Sequence, residues 1–131
     1  MIAVDTNVVV RLLTGDDPRQ AARASALFTA EEIWLSKSVI LETEWVLRSL
    51  YRFRGDRLCA AMLALTSLPK VRVEDPAAVS RALEWTSSGM DFADALHLAS
   101  RSESANFVSF DEKLVKRAKG LGVTAVALLH V

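Results

Sequence analysis

Apolar residues fall along this chain in short runs of three or four, separated by longer stretches in which they recur at helical spacing. Ile2 to Val4 is the first short run and predicts a strand, after which the pattern turns helical from about Thr6 to Leu13. Gly15, Asp16, Asp17 and Pro18 make a turn. Pro18 suits the first turn of a helix reaching about Ala30, where a missing N–H costs nothing. Ile33 to Leu35 predicts a second strand, and Ser36 or Ser38 caps a long helix to about Phe53. Gly55 and Asp56 break the chain before a helix from Arg57 to Ser67, and Val71 to Val73 is a third strand. Pro76 opens a helix to about Thr86, Ser87 to Gly89 turn the chain, and a further helix runs from Asp91 to about Ser104. Phe107 to Phe110 predicts a strand, Asp111 opens a helix that Gly120 and Gly122 end, and Thr124 to Leu129 closes as the last strand.

Strands that alternate with helices favour a parallel sheet covered on both faces. The expected fold is therefore α/β, a three-layer α/β/α sandwich around a central, mainly parallel sheet of four to five strands. No repeat, low-complexity tract or linker divides the chain, so residues 1–131 are expected to form a single domain with room for a substantial core. In open sheets of this kind ligands sit at the carboxyl ends of the strands.

Composition narrows the setting. One cysteine, Cys59, excludes an intrachain disulfide and a thiolate metal cluster, and it reads as a small buried helix residue. No basic region precedes the first apolar stretch, and no apolar run approaches the ~20 residues that cross a bilayer, so a cytoplasmic protein is expected. Sixteen basic and sixteen acidic residues cancel, so any nucleic-acid ligand must be met by local positive patches.

The candidate chemistry is acidic. Ile2-Ala3-Val4-Asp5 and Val108-Ser109-Phe110-Asp111 are both strands that end in an aspartate opening a helix. Parallel neighbours would bring both carboxylates to one edge, although Asp is also a preferred N-cap. Asp91 and Asp94 lie three apart in the first turn of one helix and share a face, where Asp91 is equally explained as a cap. Glu42 has Ser38, Val39, Trp45 and Val46 as its helix neighbours, which predicts a face that is not solvated, while Glu44 points elsewhere as an ordinary surface acid. Four carboxylates confined at one sheet edge raise each other's pKa unless a cation is present, and an all-oxygen set suits Mg²⁺ or Mn²⁺ rather than zinc. Such a site can orient a phosphate and activate water for phosphodiester cleavage.

The segments MIAVDTNVVVRLL, VILETEWVL, MDFADALHLA and NFVSFDEKLVKRA resemble, in order, the four motif regions of the PIN domain. The length of the chain is similar to that of the VapC-type toxins of toxin–antitoxin modules. By position Asp5, Glu42, Asp94 and Asp111 resemble the family's catalytic, metal-binding acids, and Asp91 resembles an accessory acid found in some members. Thr6 and Asn7 complete the first motif, and Ser109 stands where a Thr or Ser precedes the last acid, each orienting the site through hydrogen bonds. The resemblance implies a Mg²⁺- or Mn²⁺-dependent endoribonuclease that leaves 5′-phosphate and 3′-hydroxyl ends. It also implies a homodimer, or a higher assembly, silenced by a cognate VapB-type antitoxin.

Basic residues that could meet RNA or the antitoxin are Arg11, Arg48, Arg52, Arg54 and Arg57, with Lys113, Lys116 and Arg117 further on. The cluster from Arg48 to Arg57, interleaved with Tyr51 and Phe53, is the better patch. His97 reads as a packed helix histidine, His130 carries no signal, and Trp34, Trp45 and Trp85 read as core or interface. Two other classes compete. A phosphatase of the haloacid dehalogenase kind needs an aspartate two residues after the first, where this chain has Asn7, and a receiver domain finds no match at Glu74-Asp75. A catalytically silent binding module would be expected to have lost at least one acid, and the set is complete.

Overall fold

The computed structural model describes residues 1–131, with five strands and seven helices. In chain order these are β1 (Ile2–Ala3), α1 (Thr6–Thr14), α2 (Pro18–Ala30), β2 (Ile33–Leu35), α3 (Lys37–Ser49) and α4 (Gly55–Thr66). There follow β3 (Val71–Val73), α5 (Pro76–Ser87), α6 (Phe92–Ala99), β4 (Phe107–Ser109), α7 (Glu112–Gly120) and β5 (Val126–Leu128).

Every strand pair is parallel. β2 lies between β1 and β3, with Ile2 opposite Ile33 and Leu35 opposite Val73. β4 pairs with β5, Phe107 opposite Val126 and Ser109 opposite Leu128. The expected α/β class with parallel strands and covering helices is what forms, and the strands make two hydrogen-bonded groups rather than one ladder. β1 is only two residues long and pairs with β2 alone.

Ile33 and Leu35 of the middle strand are fully buried, and one continuous apolar cluster runs from Val9 to Val126. Burying a side chain of this size stabilises the fold by roughly 1.5–3 kcal/mol. Helices α1 and α2 pack together, α3 lies against α1 and α6, and α5 packs closely on α6. Both helices bury alanines, Ala78 and Ala82 on α5 and Ala95 and Ala99 on α6, together with Leu83 and Phe92. Small side chains let two helix backbones approach.

Two helices end earlier than the sequence suggests. Helix α3 stops at Ser49 instead of Phe53, because Arg52 takes a left-handed φ of 58° and turns Phe53 into the core. Helix α6 stops at Ala99 instead of Ser104. Beyond it, the Arg101 guanidinium donates to the carbonyls of Thr124 (2.9 Å) and Ala125 (3.0 Å), tying this segment to the approach to β5.

Candidate active site: acids at the helix N-termini

Each predicted aspartate but one caps a helix. Asp5 caps α1 and accepts from the Thr6 N–H at 2.8 Å. Asp91 caps α6, its carboxylate accepting from the N–H of Asp94 at 3.2 Å. Asp111 caps α7 and accepts from the Leu114 N–H at 3.1 Å, while its own N–H donates to Ser109 Oγ at 3.0 Å. The orienting role expected of Ser109 thus takes the form of a bond to the Asp111 backbone. All three caps are solvent-exposed at a positive helix end, where a carboxylate is stabilised.

Asp94 differs. It sits half-buried inside the first turn of α6. Burial lifts its carboxyl above the ordinary aspartate range, the charges of Asp91 and Asp111 push it further the same way, and His97 opposes them. His97 is exposed rather than packed.

Glu42 reaches the start of α1, where its Oε1 accepts a very short hydrogen bond from the Thr6 hydroxyl. Thr6 is buried and Asn7 is exposed. The burial expected of the two glutamates is reversed. Glu42 lies on a solvent-exposed part of α3, and Glu44 is 3% exposed, on the core face with Ile40, Thr43 and Leu47. The signal was present in the spacing, since residues 40, 43, 44 and 47 form one helical stripe. Glu44 is held by Arg48, one turn on, through bonds of 3.0 and 3.2 Å. These hydrogen bonds raise the Arg48 pKa; burial opposes them, and the charges of Glu44 and Asp91 add to them.

The acids therefore form two groups: Asp5 and Glu42 joined through Thr6, and Asp94 with Asp91 and Asp111. Helix α3 lies between them, Glu42 toward the first and Arg48 toward the second. No three acids, histidines or cysteines stand close enough together to hold a metal ion. In donor chemistry the set nevertheless fits a hard divalent cation, being all carboxylate oxygens.

The basic cluster is largely occupied. Arg48 serves Glu44, Arg54 donates to the carbonyls of Arg48 and Phe53, and Arg57 stacks 3.9 Å over the Phe53 ring. Arg52 is exposed. Cys59 is half-buried on α4 rather than fully enclosed, Trp85 packs against the core, and Trp34 and Trp45 are exposed.

Parallel strands, covering helices and carboxylates gathered where strands hand over to helices describe an α/β protein with an acidic edge. The PIN domain model matches residues 2–120, and the chain belongs to that family, whose members are commonly nucleases using divalent metals. No curated protein compared with it matches. No helix is long and apolar enough to cross a membrane.

Proposed function

We propose that this chain, as a single domain over residues 1–131, is a metal-dependent endoribonuclease and the toxin of a type II toxin–antitoxin module. Its site residues are Asp5, Glu42, Asp94 and Asp111, with Asp91, carried as two groups with α3 between them. The observation that carries the reading is Asp94, a half-buried carboxylate destabilised by two neighbouring acids. A fold keeps so unfavourable an arrangement where a cation is meant to relieve it.

Mg²⁺ or Mn²⁺ held by these carboxylates would polarise the phosphate and lower the pKa of the attacking water. The chain's own groups prepare the place. Thr6 fixes the Glu42 carboxylate beside Asp5, Ser109 anchors the backbone of Asp111, and the Asp91 cap sets the first turn that carries Asp94.

A homodimer is part of the proposal. Val108 on β4, with Phe110 and Leu129 just past the ends of β4 and β5, is exposed and apolar, and such a face suits a second copy. A cognate VapB-type antitoxin and a cytoplasmic location complete it.

The test is cleavage of RNA by the purified chain in Mn²⁺, beside Asp5→Asn and Asp94→Asn, with a phosphate monoester as a second substrate. The parent is expected to cut RNA and spare the monoester, and both variants to fall to background while keeping the parent's circular dichroism. Variants that cut as well as the parent would sink the assignment. Monoester hydrolysis would make the site a phosphatase.

A further inference from the structure

Helices α1 and α2 leave a groove of about 540 Å³ between them. One end is at Asn7, two residues beyond Asp5, so the groove opens beside the acidic edge. Arg11, Arg19, Gln20 and Arg23 line it over an apolar floor that includes Leu27, and no acidic residue is among its lining. In a chain whose charges cancel, three arginines around one groove are a local concentration.

The three are not equivalent. Arg11 is fixed in place, donating to Gln20 Oε1 at 2.9 Å and to the Tyr51 hydroxyl at 3.1 Å, with Asp16 at 3.4 Å. Arg19 and Arg23 lie one turn apart on α2, are exposed, and take part in none of the four ion pairs. Unlike Arg48, Arg54 and Arg57, their guanidinium groups have no other use in the fold. A guanidinium fork matches a phosphate with two parallel hydrogen bonds.

We infer that this groove is the track for the sugar–phosphate backbone of a single RNA strand, which Arg19 and Arg23 hold as it leaves the acidic edge. The inference rests on the ribonuclease reading. Asn7 sits where the strand passes from the acids into the groove, and Arg11, held by Gln20, Tyr51 and Asp16, lines the wall there.

The experiment is a fluorescence anisotropy titration of a short labelled single-stranded RNA in EDTA, so that nothing is cut, at several KCl concentrations. Arg19→Ala/Arg23→Ala is expected to bind roughly tenfold more weakly and to flatten the slope of log K against log salt by about 1.4, the loss of two phosphate contacts on a single strand. Arg81→Ala, an exposed arginine on α5, is expected to match the parent. Unchanged affinity and slope in the double variant would overturn the inference. So would a variant that binds RNA like the parent but no longer binds an oligoglutamate peptide, which would assign the groove to an acidic protein segment. A parent that shows the slope but never cuts RNA refutes the nuclease reading and leaves the groove standing. One that cuts, with no change of slope in the double variant, refutes the groove alone.

Discussion

Asp94 carries the sharpest consequence at the scale of single residues. Its folded-state pKa is raised, so ionisation costs more in the native chain than in the unfolded one. For an acid shifted upward, stability is highest below the unfolded pKa of about 3.9 and falls as pH rises through the folded value. Asp94→Asn is therefore expected to raise the melting temperature of the metal-free protein at pH 7, with the gain vanishing near pH 4. A lower melting temperature at pH 7 would contradict the environment described for Asp94. Mn²⁺ is expected to raise the melting temperature of the parent and to do less for the variant. Thr6→Val removes the bond that seats Glu42. It is expected to cost about 1 kcal/mol in urea unfolding and to lower cleavage roughly 10–100-fold, as loss of a partner behind a metal ligand does. Sequence alone identified Asp5, Asp91 and Asp111 as possible caps, and all three are. The burial of Glu42 and Glu44 is the reverse of what the neighbours of Glu42 predict, because Ile40, Glu44 and Leu47 form the stripe that faces the core.

The same aspartates act at the scale of elements. Each helix carrying an expected acid from its cap begins where a strand or turn ends, so the residue that satisfies the first N–H groups is also the residue offered to the site. Asparagine caps nearly as well as aspartate, which is why Asp→Asn changes can remove charge with little harm to the helix. The turn before α6 depends on Gly89, whose φ is 106° and whose missing Cβ would lie 2.3 Å from an Arg117 guanidinium nitrogen. Gly89→Ala is expected to destabilise the fold by about 1 kcal/mol or more, measured by chemical denaturation. Most of that loss is expected to persist in Gly89→Ala/Arg117→Ala, because the guanidinium can move aside and the backbone strain cannot. Full rescue by the second change would show that the contact, not the backbone, sets the cost. Helix α2 and strands β2 and β3 have the bounds that local pattern predicts, since Pro18 and the short apolar runs mark them. The ends of α3 and α6 do not, because burial of Phe53 and the reach of Arg101 are contacts between distant segments.

At the scale of the molecule, the zero net charge leaves recognition to local concentrations of charge, and the exposed apolar face of β4 and β5 leaves association to a patch. Sedimentation is expected to give twice the 14.4 kDa of one chain. Leu129→Lys, which places a charge on that face away from the helix caps, is expected to give the single mass. A monomeric parent, or a variant that stays dimeric, would remove this face from the proposed assembly.

The order of strands and helices, the acidic residues that open helices and the membership of a nuclease family follow from periodicity, cap residues and four short motifs. These are properties of neighbours in the chain, and the sequence by itself determined them. Only the tertiary structure decided that Glu42 meets Thr6, that Glu44 is buried on Arg48, that Asp94 is half-buried within the field of Asp91 and Asp111, and that Arg19 and Arg23 remain free while the arginines after α3 are used. The physical reason is that burial and charge coupling depend on what lies across the space between elements, and local pattern is silent about distance.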